Sequence, residues 1–274
     1  MRKRSQMTSF CLELIKINND IFDLIFPKTY ICSWSGGKDS TASIILAHEN
    51  SEPLDKIVMS EVMYDKTRNI SGELPEHINW AYNIAIPRFQ EWGYQVEIVK
   101  SEKDYLDLFY GVCKRSKYIE RIGKYHGFVV GGKCAANRDL KIKPITDYYK
   151  KMNIADVIQY VGIAIDEPKR LKRLNGTNKV SLLEKYKFTE QQAYELCKKY
   201  NLLSPSYEFT KRGGCWFCPN QTNEELAHLK KYHPELWEEL KILSKEKNLV
   251  SYGFKYGKTI EQVENKINKI LEGR

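Results

Sequence analysis

Short apolar runs and longer segments with helical spacing follow each other along the first hundred residues. Strands favour β-branched and aromatic residues, whereas amphipathic helices place apolar residues three or four positions apart. On these criteria, one helix starts near Ser40 and a second spans Leu74–Trp92. The predicted strands are Lys28–Trp34, Asp55–Tyr64 and Tyr94–Lys100. This alternation predicts an α/β fold, in which helices cover both faces of a parallel sheet.

The pattern changes in the second half of the chain. Asp156–Ile165 is the most apolar stretch and is predicted to be a central parallel strand. The basic segment Lys169–Lys179 is expected to form a lid or a linker over a site. One or two helices are also predicted within residues 6–25. The remaining helices are predicted at Thr189–Tyr200, Asn223–Tyr232, Pro234–Lys247 and Thr259–Leu271.

Composition and charge narrow the class of protein. The chain of 274 residues has 29% charged and 42% apolar residues, which is typical of globular proteins. No apolar run is long enough to span a bilayer, and no signal-type segment follows Met1, so a cytoplasmic protein without membrane contact is expected. The net charge is +9, and Gly111–Lys150 has ten Lys or Arg against three Asp or Glu. That segment indicates either a nucleic-acid interface or a lysine-rich solvated surface.

The seven cysteines do not resemble the disulfide framework of a secreted protein, because they are odd in number and irregularly spaced. Cys11, Cys32 and Cys197 lie in apolar patterns and are predicted to be core thiols. Metal binding is the better interpretation for some of the other cysteines.

A glycine pair at the end of the first predicted strand has the features of an anion site. The stretch Ser35-Gly36-Gly37-Lys38-Asp39-Ser40-Thr41 joins that strand to a helix. Glycines allow close approach of the backbone, the helix N-terminus offers free N–H groups, and Lys38 adds a positive charge. The Walker A pattern is absent, because its first glycine is missing and Asp39 follows the lysine. The alternative is a glycine turn without a ligand. We call residues 33–41 the Gly-Gly loop.

This loop resembles the PP-loop of the adenine-nucleotide α-hydrolase-like (ATP pyrophosphatase) superfamily. The resemblance implies a Rossmann-like (HUP-type) parallel sheet and ATP bound with Mg²⁺. A nucleotide-binding domain is then expected over 1–175, followed by a helical region over 176–274 that carries a Cys-x-x-Cys knuckle. Lys38 and Asp39 are implied to be catalytic. The implied phosphate-binding residues are Ser33, Ser35, Gly36, Gly37, Lys38, Asp39, Ser40 and Thr41.

Three further segments resemble the phosphoadenosine-phosphosulfate-reductase-like branch of that superfamily. They are Tyr64-Asp65 followed by Glu73-Leu74-Pro75-Glu76, then Gly132–Pro144, and then Val161–Arg170. The resemblance implies that Asp65, Lys141 and Glu167 lie near the nucleotide and that Arg170 is catalytic. Alternatively, Asp65 is a turn residue, Lys141 and Arg170 are surface cations, and Glu167 is an acid at a helix N-terminus.

The segment Gly213-Gly214-Cys215-Trp216-Phe217-Cys218-Pro219 is a candidate metal knuckle. The resemblance makes Cys134 the third ligand. One interpretation is a [4Fe–4S] cluster held by three cysteines, which leaves one iron open. The other is zinc, completed by Cys113, His126 or His233. A knuckle without metal is the remaining alternative.

Taken together, the resemblance implies an enzyme that activates a substrate by adenylylation. A nucleophilic oxygen attacks the α-phosphorus of ATP, and pyrophosphate leaves. Sulfur transfer to tRNA or DNA would use the ATP site, the cysteines and the basic segment together, with a sulfur-donor protein and a homodimer as further partners. The alternatives are a phosphoadenylyl-sulfate or adenylyl-sulfate reductase, a sulfate adenylyltransferase, and a non-catalytic module that binds ATP or nucleic acid. A reductase is disfavoured because no cysteine follows Cys218 and the loop is intact.

Overall fold

The fold is built around a parallel sheet of five strands. The structure is a computed structural model, and it describes residues 28–131, 134–152, 157–211 and 214–273. The helices predicted over residues 6–25 and the thiol of Cys11 lie outside the described residues. The sheet has the order β5-β2-β1-β6-β7, and every neighbouring pair is parallel. Its strands are β1 (Thr29–Trp34), β2 (Lys56–Glu61), β5 (Gln95–Lys100), β6 (Val157–Tyr160) and β7 (Lys179–Val180), and a separate hairpin pairs β3 (Met63–Asp65) with β4 (Ile70–Ser71). The predicted α/β class with a parallel sheet is confirmed.

Helices connect the strands and form the C-terminal part of the chain. A π-helical segment, Ala81–Ala85, joins two of the helices, and a second one spans Asn137–Ile142. Short 3₁₀ segments occur at Ile119–Arg121, Lys172–Leu174 and Pro205–Glu208. The α-helices are α1 (Lys38–Glu49), α2 (Pro75–Trp80), α3 (Ile86–Glu91), α4 (Tyr105–Phe109), α5 (Lys143–Lys151), α6 (Pro168–Leu171), α7 (Leu182–Lys185), α8 (Glu190–Lys199), α9 (Asn223–Tyr232), α10 (Pro234–Ser244) and α11 (Ile260–Glu272).

The first hydrophobic core lies against β1 and β2. Helix α1 is buried from Ser40 to Ala47, so it packs between the sheet and other helices rather than against one face only. Residues from α7 and α8, including Leu183 and Cys197, belong to the same core. The chain therefore contributes to the sheet and its core well beyond residue 175, where the division between the two regions was predicted. Cys32 and Cys197 are fully buried here, as predicted.

A second hydrophobic core joins the segment after β2 to the C-terminal helices. Tyr64, Tyr105 and Trp216 meet in it, and the rings of Tyr105 and Phe217 stack with centroids 3.8 Å apart. Helices α9, α10 and α11 supply most of its aliphatic residues. The aromatic residues of the Cys-x-x-Cys segment thus anchor the knuckle to the end of the sheet through burial of apolar area.

Two predicted strands are shorter than the sequence indicated. The predicted strand 55–64 ends at Glu61, because the carbonyl of Val62 accepts a hydrogen bond from Gly72 N–H at 2.7 Å and the chain turns into the β3–β4 hairpin. The predicted strand 156–165 ends at Tyr160. After Tyr160, the N–H of Val161 still donates to Val180 of β7 at 3.0 Å, and the backbone of Gly162 then lies against the start of α1. The basic segment 169–179 contains α6 and a 3₁₀ turn and leads into β7.

Among the described residues, no helix combines the length and the apolar character that crossing a membrane requires.

Candidate functional site

The Gly-Gly loop lies between the carboxyl end of β1 and the N-terminus of α1. Strands β2 and β6 flank β1 on opposite sides, so the strand order reverses at this point. In doubly wound sheets such a reversal opens a crevice in which ligands bind. Among the described residues, the backbone N–H groups of Asp39 and Ser40 in the first turn of α1 have no hydrogen-bond acceptor, whereas that of Lys38 donates to the hydroxyl of Tyr207 at 2.9 Å. The first turn of α1 can therefore bind an anion.

Two glycines permit the close approach of backbone that forms this crevice. A Cβ atom at Gly162, which follows β6, would lie 2.4 Å from the backbone nitrogen of Ser40. Gly36 has a φ of +71°, and a Cβ atom there would lie 2.3 Å from Cε1 of His77. Neither position accepts a larger residue without displacement of its neighbour.

Hydroxyl groups hold the inner side of the loop in place. Ser40 Oγ donates to the carbonyl of Gly37 at 3.0 Å, and it lies 3.3 Å from Ser35 Oγ. Ser33 Oγ lies 3.2 Å from the hydroxyl of Tyr149 and accepts a hydrogen bond from Gln159. The hydroxyl of Thr41 instead accepts from Trp34 Nε1 at 2.9 Å, and Thr41 is fully buried. Thr41 therefore supports the loop from inside.

The charged pair in the loop is partly screened from water. Lys38 Nζ lies 2.9 Å from Asp39 and 2.9 Å from Glu190 of α8. Burial lowers the pKa of Lys38, but the hydrogen bonds to the two carboxylates outweigh this effect and hold its pKa above the usual value. Burial raises the pKa of Asp39, and Lys38 only partly opposes that shift. Both Lys38 and Asp39 also interact with the charge of Glu190, so the three groups are electrostatically coupled.

A cleft of about 380 Å³ opens directly in front of the loop, and we call it the loop cleft. Arg170, Leu174 and Lys179 line the same cleft. The Arg170 guanidinium forms an ion pair with Glu167, and Glu167 also accepts from the N–H of Ala164 at 3.3 Å. Arg170 thus faces the same space as the Gly-Gly loop, while Glu167 orients it from outside. The predicted loop residues that line the cleft are Ser33, Ser35, Gly37, Asp39 and Ser40.

Three polar side chains connect the loop to the cysteines. His77 Nε2 lies 3.2 Å from the carbonyl oxygen of Ser35, and its Nδ1 lies 2.9 Å from Ser204 Oγ. Glu73 and Lys141 act electrostatically on His77 and lie 2.9 Å from each other. Burial lowers the pKa of His77, so a neutral imidazole stands between the loop and this ion pair.

We call the predicted metal ligands Cys134, Cys215 and Cys218 the cysteine group. Cys134 and Cys218 act electrostatically on the pKa of Cys215, and Cys134 acts on that of Cys218. Among the described residues, the three sulfurs do not all lie within 4.8 Å of one another. Lys141 acts on both Cys215 and Cys218. Burial raises the pKa of Cys215, and Lys141 opposes that shift. Glu73 also forms a β-bridge with Cys215. Lys141 therefore interacts with the cysteine group and does not line the loop cleft.

The structure places the other candidate residues elsewhere. Asp65 lies in the β3–β4 hairpin, accepts from the N–H of Arg68 at 3.0 Å and pairs with its guanidinium. Cys113 is buried, and its thiol donates to the carbonyl of Arg115 at 3.7 Å. His126 lines a different cleft, and His233 binds Glu76 at 2.8 Å. Among the described residues, Asp65 thus behaves as a turn residue that pairs with an arginine.

A second and larger cleft, of about 990 Å³, lies beside the cysteine group, and we call it the large cleft. Gly131 and Ala135, which flank Cys134 in the sequence, line one side of it. Tyr252 and Tyr256 line it as well and are 72% and 86% exposed. Its Lys and Arg residues exceed its Asp residues by four to two: Lys103, Lys114, Arg121 and Arg138 against Asp107 and Asp139.

Several residues of the site carried no recognisable sequence signal. Tyr207 and Glu190 reach the loop from segments about 150 residues further along the chain, and His77 reaches it from α2. A scattered histidine is more often structural than functional. Gly162 lies within the segment Val161–Arg170, which resembles the phosphoadenosine-phosphosulfate-reductase-like branch. That resemblance pointed to a role for Gly162 in the site.

Comparisons with known proteins find similarity to solved structures at low sequence identity. No family model matches the chain, and no curated protein matches its sequence. A phosphoadenylyl-sulfate reductase from Candida auris, in a phosphate complex, has 9% identity and a TM-score of 0.41 over 70% of this chain and 84% of its own. The U34-tRNA thiolase NcsA from Methanococcus maripaludis, with its [4Fe-4S] cluster, has 16% identity and a TM-score of 0.40. That match covers 80% of this chain and 71% of the thiolase chain.

We expect Gly162→Ala to separate the end of β6 from the start of α1. The added Cβ meets backbone atoms of Asp39 and Ser40, which cannot rotate away as a side chain can. The free energy of unfolding should fall by about 2 kcal/mol or more. Denaturant unfolding measures this loss.

Gly37→Ala is the matched control. Gly37 has a φ of −70°, and the nearest atoms to an added Cβ are the hydroxyl oxygens of Ser35 and Tyr207 at 3.4 and 3.5 Å. Its stability should stay within about 1 kcal/mol of the unsubstituted protein. Equal losses in the two variants would contradict the assignment of Gly162 as a position where backbone packs directly on backbone.

Proposed function

We propose that the protein is an ATP pyrophosphatase of the PP-loop type that adenylylates a substrate in a sulfur-transfer reaction. The observation that carries this proposal is that one cleft is lined by the Gly-Gly loop and Arg170, while His77, Glu73 and Lys141 link the loop to three cysteines. A nucleotide site and a thiol site thus lie within a few side chains of each other.

The loop cleft suits the triphosphate of ATP. The free N–H groups of Asp39 and Ser40 would donate to phosphate oxygens, and Arg170, which lines the same cleft, would add a positive charge. Attack by a substrate oxygen on the α-phosphorus forms a P–O bond and breaks the bond to the β-phosphate oxygen, so pyrophosphate leaves. Negative charge develops on the transferred phosphoryl group, and Arg170 and Lys38 are the cations that stabilise it.

Magnesium is expected with the nucleotide. Mg²⁺ prefers carboxylate and phosphate oxygens, and the carboxylate of Asp39 lines the loop cleft. Binding of the magnesium complex would exchange the contact between Lys38 and Asp39 for contacts with phosphates. Glu190 would remain as the second partner of Lys38.

For the cysteine group we propose an iron–sulfur cluster rather than zinc, because sulfur transfer needs a metal centre that can hold sulfide. Three soft sulfur donors match either metal. A [4Fe–4S] cluster held by three cysteines would supply an open iron that binds sulfide. Lys141 would balance part of the thiolate charge.

The large cleft suits a nucleic acid as the substrate. Single-stranded nucleic acids bind to positively charged grooves in which aromatic side chains stack on bases. The exposed rings of Tyr252 and Tyr256 and the surplus of cations in the cleft match that description. Because Ala135 lines this cleft and is adjacent to Cys134, a nucleotide in it would lie beside the cysteine group.

Arg170→Ala should lower the rate of ATP-dependent pyrophosphate release by at least tenfold, because a cation that faces the phosphates is lost. Arg173→Ala is the matched control. Arg173 follows on the same basic stretch, is exposed, and does not line the loop cleft. Its rate should stay close to that of the unsubstituted protein, and pyrophosphate release can be measured by a coupled assay with RNA present. Equal rates in all three proteins would rule out Arg170 as a phosphate ligand.

Protein purified without oxygen should contain about four iron and four sulfide per chain. In Cys215→Ser both should be lost, whereas Cys113→Ser, which alters a buried cysteine outside the cysteine group, should retain them. Metal analysis measures the iron content, and an assay of acid-labile sulfide measures the sulfide content. Zinc that disappears with Cys215, in place of iron and sulfide, would overturn the cluster assignment.

A further inference from the structure

A second cluster of metal-ligating side chains lies apart from the cysteine group. Among the described residues, Glu76, His228 and His233 form the one group of three such side chains whose ligand atoms all lie within 4.8 Å of one another. Nε2 of His228 lies 3.0 Å from Glu76 Oε1, and Nε2 of His233 lies 2.8 Å from the same oxygen. Each imidazole therefore directs its own Nε2 atom toward the same carboxylate oxygen, Glu76 Oε1.

The second oxygen of that carboxylate provides an independent observation. Glu76 Oε2 is buried and has no hydrogen-bond partner. A buried polar atom without a partner costs free energy and requires an explanation, of which an absent ion is one. Here two hydrogen bonds converge on Oε1 while Oε2 has none. A cation between the carboxylate and the two rings would use both oxygens.

The two histidines are held by their surroundings. The ring of His228 stacks on Phe209, with centroids 3.6 Å apart and an angle of 7° between planes. His233 joins α9 to α10: its N–H donates to the carbonyl of Leu229 at 2.8 Å, and its carbonyl accepts from Leu236 at 3.0 Å. Glu235 Oε1 lies 3.8 Å from His233 Nδ1, on the side where metal-binding histidines usually meet a carboxylate.

We propose that Glu76, His228 and His233 bind a divalent cation, Zn²⁺, through two imidazole nitrogens and one carboxylate. Two histidines and one glutamate form a known zinc ligand set, and four residues separate the two histidines, within the usual spacing. The side chains are 27%, 19% and 17% exposed, so water can complete the coordination. This proposal is independent of the proposed function.

The ion would fasten the C-terminal helices to the nucleotide site. Glu76 lies in the first turn of α2, and the next residue, His77, contacts the carbonyl of Ser35 in the Gly-Gly loop. His228 and His233 belong to α9 and to its junction with α10, which are parts of the second core. Zinc would therefore fix the position of α2 between the two cores.

Calorimetric titration with zinc chloride tests the site in the full-length Cys134→Ser, Cys215→Ser, Cys218→Ser variant after treatment with a chelator. That variant lacks the thiols, which would otherwise compete for zinc. We expect one equivalent of zinc to bind, and we expect adding His228→Gln to weaken binding by tenfold or more. Adding His126→Gln, a histidine of the large cleft, is the matched control and should leave the affinity unchanged. Absence of zinc binding, or equal affinity with and without His228, would refute the site.

X-ray absorption at the zinc edge gives a second test that does not depend on folding of the triple variant. The single variant Cys215→Ser, loaded with one equivalent of zinc, should show nitrogen and oxygen neighbours at about 2.0–2.2 Å. Sulfur neighbours at about 2.3 Å would overturn the proposal.

Discussion

The contact between the backbone after β6 and the first turn of α1 is the constraint on which the site depends. Gly162 leaves no room for a Cβ against Ser40, so the two elements meet at backbone distance. That contact places the first turn of α1 against the end of β6, where the strand order reverses, and residues of that turn line the same cleft as Arg170 on the chain that follows β6. A larger distance between the backbone after β6 and α1 would separate the helix N-terminus from Arg170. The two positive groups would then stabilise a bound anion less.

Helix α2 connects this crevice to the rest of the molecule. Glu73, just before it, pairs with Lys141 beside the cysteine group, and His77 within it touches the Gly-Gly loop. Glu76, between them, holds the two histidines of the C-terminal helices. The short segment 73–77 thus links the Gly-Gly loop, the segment of the cysteine group and the two histidines. It connects parts of the site that lie in different hydrophobic cores.

Local signals in the sequence predicted the parallel sheet and the loop, because strand and helix periodicities and the Gly-Gly turn depend on neighbouring residues. Cys134, Cys215 and Cys218 interact electrostatically, and their role as metal ligands stays a prediction. What the sequence could not predict depends on distant parts of the chain. Tyr207 and Glu190 reach Lys38 across more than 150 residues, and the close approach of Gly162 to Ser40 joins segments more than 120 residues apart. Asp65 looked like a nucleotide contact in the sequence, but Arg68 pairs with it in the hairpin.

The central claim is that the loop and the cysteine group act in one reaction, and the stoichiometry of that reaction tests it most directly. Protein purified without oxygen is incubated with ATP labelled at the α-phosphate, labelled sulfide and RNA, and the nucleotide products and RNA-bound sulfur are counted together. Our account predicts AMP, pyrophosphate and incorporated sulfur in equal amounts, because each sulfur replaces one adenylylated oxygen. ADP and phosphate as products, or AMP formed with no sulfur in the RNA, would contradict it.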